Sequence, residues 1–104
     1  MKSISKFSIK ETSKSFQGPW DPKNLTEISG KILRIAKFEG RYGDTLHTHK
    51  YDEFFLVLKG KIEIITEIGK IRLCPLEGTI IPKGIQHQPF AKKPALVLML
   101  DPKN

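Results

Sequence analysis

Gly and Pro cut this chain into short pieces, at Gly18-Pro19, Asp21-Pro22, Gly30, Gly40, Gly43, Lys59-Gly60, Gly69, Pro75, Glu77-Gly78, Lys83-Gly84 and Pro94. Between them lie runs rich in Ile, Leu, Val and Phe, at 31–38, 54–58, 62–67, 70–74, 79–81, 86–90 and 95–100. Short apolar runs bounded by turn residues at this spacing predict an all-β chain, an antiparallel sandwich or barrel. No segment carries a long helical period and no internal repeat is present. A short helix or turn is expected only between Asp21 and Ile28.

Side chains alternate faces along a strand, which turns these runs into statements about burial. In the run after Glu53, Phe55 and Val57 share one face, yet Phe54, Leu56 and Leu58 make the other equally apolar. The last run behaves alike, with Leu96, Leu98 and Leu100 on one side and Ala95, Val97 and Met99 on the other. Strands covered on both faces read as such continuous runs. The second cover must come from the N-terminal segment or from a partner subunit.

All three histidines fall in one pattern, His47-Thr48-His49-Lys50-Tyr51-Asp52-Glu53 and then His87 within Pro82-Lys83-Gly84-Ile85-Gln86-His87. On a continuous strand, or one bent to re-aim Glu53, His47, His49 and Glu53 share a face. A return strand would bring His87 opposite. Two histidines on a strand are more often surface or core residues than ligands. Here, however, no histidine is spent elsewhere and the last follows a Pro-x-Gly turn. Imidazoles plus a carboxylate suit a first-row divalent ion, so the pattern predicts a metal site.

These residues closely resemble the cupins. The first cupin motif is matched by His47, His49, Glu53 and Gly60, with three residues between His49 and Glu53 and six between Glu53 and Gly60. Gly78, Pro82, Gly84 and His87 match the second. The leading Gly, Gly40 or Gly43, is off its usual distance, and Ala91 stands where the motif ends in Asn; both positions shape turns. The stretch from Trp20-Asp21-Pro22 to Asp101-Pro102 looks like small single-domain cupins, some described as similar to mannose-6-phosphate isomerase. The resemblance implies a jelly-roll barrel, a double-stranded antiparallel β-helix, over 16–104 after an N-terminal segment 1–15. It also implies His47, His49, Glu53 and His87 as ligands of one ion (Fe, Mn, Ni, Zn, Cu or Co), and a homodimer paired through the outside of one sheet.

At 104 residues the chain has room for one domain with a modest core. Its net charge of +7 comes from eighteen basic residues spread along the chain, of which only Lys92-Lys93 are adjacent. That distribution predicts a solvated surface rather than a nucleic-acid footprint, although it would steer small anions. Cys74 is the single cysteine, so no intrachain disulfide is possible and the cytoplasm is the default. At the end of a strand it is expected to be a small buried apolar residue. No apolar run approaches the ~20 residues of a membrane helix.

Three imidazoles and a carboxylate leave two positions open on a six-coordinate ion, unlike closed thiolate-rich structural sites. The cupin resemblance implies, and these open positions permit, a metal-dependent enzyme, dioxygenase-type or a related oxidoreductase, on a small anionic organic molecule. The alternative is a non-catalytic sensor or binding module. Arg34, in apolar company on its strand face, is a candidate for holding a carboxylate or phosphate, with Phe55 and Trp20 as further pocket residues. Trp20 could cap the barrel mouth or simply pack on the sheet. Tyr51 and Asp52 could orient a histidine, and Gln86 and Gln88 should point away from the ion. Isomerisation is disfavoured, because Glu53 is the only carboxylate expected in the pocket and it is committed to the metal.

Overall fold

The computed structural model describes residues 3–103; Met1, Lys2 and Asn104, which fall in the expected segments 1–15 and 16–104, lie outside the described residues. One helix, α1 (Ile9–Ser13), precedes seven strands: β1 (Lys23–Ile28), β2 (Lys31–Arg41), β3 (Glu53–Lys59), β4 (Ile62–Thr66), β5 (Gly69–Leu73), β6 (Gly78–Ile81) and β7 (His87–Pro102). All pairings are antiparallel, in the order β1-β2-β7-β3-β6, with β4 joining β5 to β7. The 16-residue β7 lies at the centre of this arrangement. Its first half pairs with β4 and the end of β2, its second half with β2 and β3, so one strand runs through both sheets of the jelly-roll barrel.

The expected break at Pro94 is absent. Lys92, Lys93 and Pro94 are exposed where the β2–β7 register shifts between Phe38 and Gly40. A bulge tolerates a residue that lacks an N–H, so the strand carries through as it crosses between sheets. The expected short helix or turn at 21–28 is also corrected: Lys23–Ile28 form β1. Ser29 and Gly30, at φ 49° and 78°, form a two-residue turn that returns the chain from Ile28 to Lys31. A register shift between Asn24 and Thr26 breaks the alternation that would have marked the strand in sequence.

Face parity holds where the strands are regular. Phe55, Val57, Ala95, Val97 and Met99 point inward with Ala36, Phe38, Ile62, Ile64, Leu73, Ile81 and Ala91 to form the core. On the outside, α1, capped by the Ser8 hydroxyl accepting the Glu11 N–H, packs against β1 and β2. Ile35 on that face is fully buried, whereas Leu33, Phe54, Leu56, Leu96, Leu98 and Leu100 are half-buried and Ile80 is 58% exposed. Cys74, expected to be buried, is exposed in the turn after β5, where its N–H donates to Glu77. Among the described residues no helix is long and apolar enough to cross a membrane.

Candidate metal centre

The two histidine segments are stitched by backbone. His47 lies outside any long strand and forms a single bridge to His87, with N–H to carbonyl bonds of 2.9 and 2.8 Å in the two directions. The Gly84 N–H donates to the His49 carbonyl at 3.0 Å, and the Lys83 N–H donates to Asp52 Oδ1 at 2.9 Å. The chain therefore bends after His47 instead of running straight into β3, and that bend re-aims Glu53. Asp52 does not orient a histidine; it pins the Pro82-Lys83-Gly84 turn from which His87 departs.

The result is convergence. One donor atom from each of His47, His49, Glu53 and His87 lies within 4.8 Å of every other. Donors on opposite sides of a first-row ion at about 2.0–2.2 Å would be roughly 4.2 Å apart, so this group needs to contract by only a few tenths of an ångström to hold one. His87 Nδ1 lies 2.9 Å from the Ile85 carbonyl and Nε2 lies 2.8 Å from Glu53 Oε1. Donation from Nδ1–H to that carbonyl fixes the tautomer and leaves Nε2 facing the cluster. His49 Nε2 is 3.4 Å from the same carboxylate oxygen.

Electrostatics agree with packing. Burial lowers the His47 pKa, and the neighbouring His87 and His49 lower it further, which favours the neutral imidazole a metal requires. Burial also acts to lower His87, but its bond to Glu53, its bond to Ile85 and the Glu53 charge outweigh that and raise it. In the metal-free protein Glu53 thus favours the protonated form of His87, in competition with an ion.

His47, His49 and Glu53 line a cavity of about 200 Å³, and His87 is buried behind them. Trp20, Arg34 and Phe55 all line it, as do Phe38, Tyr42, Tyr51, Met99 and Asp101. Trp20 packs on Phe38 at 4.5 Å between ring centroids. Its N–H donates to the Lys37 carbonyl and its Nε1–H to that of Glu39, which hold the residue at a φ of 61° that a bulky side chain rarely adopts. Tyr51 stacks on His49 at 4.9 Å and 19°. Gln88 is absent from the cavity wall; its Nε2 donates to the carbonyls of Tyr42 and Gly43, anchoring the loop that carries Tyr42.

Asp101 corrects the expectation of a single pocket carboxylate. It is 8% exposed, lines the cavity and pairs with Arg34 at 3.4 Å. Burial first, and then the charge of Glu53, raise its pKa. The signal was present in sequence: extending the parity of Ala95, Val97 and Met99 by one step puts Asp101 on the inner face.

A cupin-2 domain protein from Shewanella frigidimarina NCIMB 400 superposes with a TM-score of 0.85 at 28% identity, over 91% of this chain and 92% of that one. This chain is a cupin by fold. The same cupin fold aligns with hydroquinone 1,2-dioxygenase PnpCD in complex with Fe3+, at a TM-score of 0.85 and 14% identity over 97% of this chain and 33% of that one. It also aligns with hydroquinone 1,2-dioxygenase from Sphingomonas sp. TTNP3 with 4-hydroxybenzoate bound, at 0.78 and 16% over 86% of this chain and 29% of that one. At those identities the likeness is of fold alone. No protein-family model matches the sequence, and no curated protein matches it.

Proposed function

We propose that this cupin is a metal-dependent enzyme, dioxygenase-type or a related oxidoreductase, that acts on a small anionic organic molecule. His47, His49, Glu53 and His87 would hold one divalent transition-metal ion, and Trp20, Arg34 and Phe55 would contact the substrate. The observation that carries the reading is that three of the four converging donors, His47, His49 and Glu53, line a cavity that also holds Trp20, Arg34 and Phe55, with His87 buried behind them. When bound, the ion supplies Lewis acidity and, for a redox-active metal, electron transfer with dioxygen.

The chain's own residues do the rest. Phe38, Phe55 and Met99 give the cavity part of its wall as apolar surface. The faces of Trp20 and Tyr42, with ring centroids 5.1 Å apart, border the same space and suit a flat or short ligand. A cavity of about 200 Å³ is below the range of roughly 300–1,000 Å³ for drug-sized ligands, so the substrate is small. A divalent ion beside the single Glu53 carboxylate leaves net positive charge at that end, which favours an anion. The hydroquinone 1,2-dioxygenases that share the fold support oxygen chemistry as the first class to screen.

The test is metal analysis of protein purified without tag or chelator, followed by oxygen-consumption screening of the loaded protein against small acids, phenols and diols. Tight ligand binding without turnover would replace the enzyme with a binding module. A second reading draws on Asp101, a pocket carboxylate outside the metal-donor set, which isomerisation requires as a base. Deuterium wash-in from D2O into a carbonyl substrate, without oxygen uptake, would identify it. The reading includes a cytoplasmic homodimer paired through the half-buried outer face of β2, β7 and β3.

A further inference from the structure

We propose that Arg34 and Asp101 form a neutral recognition subsite for a hydroxyl group. On this view the ligand of the cavity is a small monoanion with a hydroxyl at the end away from the ion, not a dicarboxylate or a phosphate ester. This inference rests on the metal-centre reading above and narrows its substrate class.

Position comes first. The β3–β7 register pairs Phe54 with Leu100, and its next step sets Glu53 against Asp101. Arg34 on β2 pairs with Met99 on β7, so it reaches Asp101 diagonally across the sheet. Arg34, Asp101 and Glu53 thus form a row across the inner face that ends at the metal donors. A ligand held at the ion needs only a short skeleton to reach the pair.

Charge comes second. Arg34 and Asp101 side chains are 24% and 12% exposed and lie 3.4 Å apart, so the pair carries no net charge into the cavity. An anionic group there would gain from the guanidinium but would meet the Asp101 carboxylate at the same distance scale, and like charges in a desolvated site repel strongly. Arg34 alone would have read as a carboxylate or phosphate clamp; Asp101 cancels that.

Hydrogen-bonding capacity comes third. The pair approaches no closer than 3.4 Å, longer than the usual bidentate guanidinium–carboxylate bonds, and Arg34 Nε and Asp101 Oδ1 are buried with no hydrogen-bond partner among the described residues. An ion pair serving only the fold would be expected to close fully, because buried unpaired donors and acceptors are costly. Nε and Oδ1 themselves are shut off from the cavity, so what the pair offers a ligand is the exposed remainder of the guanidinium and the carboxylate, a donor beside an acceptor. A hydroxyl accepts from the guanidinium and donates to the carboxylate at once, whereas a carboxylate has nothing to donate. Trp20 adds no competing donor, since its Nε1–H is committed to Glu39.

The experiment is calorimetric titration of the full chain loaded with Zn2+, using matched acids: 3-hydroxypropanoate against malonate, and 4-hydroxybutanoate against succinate. The hydroxy acid of at least one pair should bind about tenfold or more tighter than its dicarboxylate. Asp101→Asn should reverse that order, because the released guanidinium then takes the second carboxylate; a purely structural pair predicts no change in preference. The wild-type comparison needs no variant to fold. Equal or tighter binding of the dicarboxylates, or binding of no acid by fully loaded protein, overturns the subsite. Zinc content measured on the same samples separates the two readings. One ion per chain with the wrong preference sinks the subsite alone, whereas failure to retain zinc sinks the metal centre and the inference resting on it.

Discussion

At the level of single residues, the site depends on groups that never face the ion. Asp52 is exposed, yet its Oδ1 accepts the Lys83 N–H and so ties the loop of His49 to the turn that launches His87. Asp52→Ala should cost about 1 kcal/mol of stability by removing one charge-assisted bond. It should also weaken metal binding by roughly tenfold or more, as loss of an outer positioning contact does. Asp52→Asn, which keeps an acceptor oxygen, should fall between the two; urea melts and chelator competition measure both effects. His47→Ala and His87→Ala should each lower metal content by an order of magnitude or more while the barrel still folds. Unchanged stoichiometric metal in both variants would remove His47 and His87 from the ligand set.

At the level of elements, the sequence was legible wherever a strand is regular and both of its periods survive. The alternation after Glu53 placed Phe55 and Val57 inward, and the same parity along β7 separated Val97 and Met99 from Leu98 and Leu100. It failed at irregularities. The β1 register shift hid a strand, and the bulge opposite Lys92–Pro94 made one long strand look like two. Asp101 was missed because the apolar run ends at Leu100 and polarity there reads as a strand end. The sequence left a continuous strand and a bend that re-aims Glu53 both open between His47 and Glu53, because the choice is set by bonds to a turn more than thirty residues away. Gly60 marks a tighter constraint. At φ 80° it has no room for a side chain, because a Cβ would lie 2.9 Å from the Pro94 carbonyl oxygen and 3.0 Å from Ala95. Gly60→Ala should therefore destabilise the protein by about 1–3 kcal/mol, from left-handed backbone strain and from displacement of β7 at its crossing. Equilibrium unfolding checks this, and an unchanged midpoint would mean the crossing yields freely.

At the level of the whole molecule, the outer face and the metal centre each set a measurable property. Leu56 and Leu98 face each other across β3 and β7 on the half-buried exterior. If that face pairs two copies, light scattering should give about twice the 11.8 kDa chain mass, and Leu98→Lys should return a folded monomer. A stable wild-type monomer across the micromolar range would assign the remaining cover to α1 and its flanking residues. In metal-free protein the histidines oppose one another. His87, raised, contributes stability that is present below its unfolded value and lost as pH rises through its folded one. His47, lowered, costs stability as pH falls from its unfolded value through its folded one. Apo melting should therefore change less between about pH 7.5 and about pH 5, a range that brackets the ordinary histidine value near 6.5, than melting of the loaded protein. The loaded protein should lose its metal increment over that range, about 2.7 kcal/mol for an ion at a hundred times its dissociation constant. Identical melts of both forms at both pH values would show that no ion is held. One further consequence follows from β7 carrying His87 near its start and Asp101 near its end. Sliding that strand by one residue would turn both side chains out of the cavity together, so natural or designed change cannot lengthen the binding space by shifting it. Room for a longer ligand has to come from the other wall, by trimming Trp20 or Tyr42, and ligand length should change there while the two polar ends stay fixed.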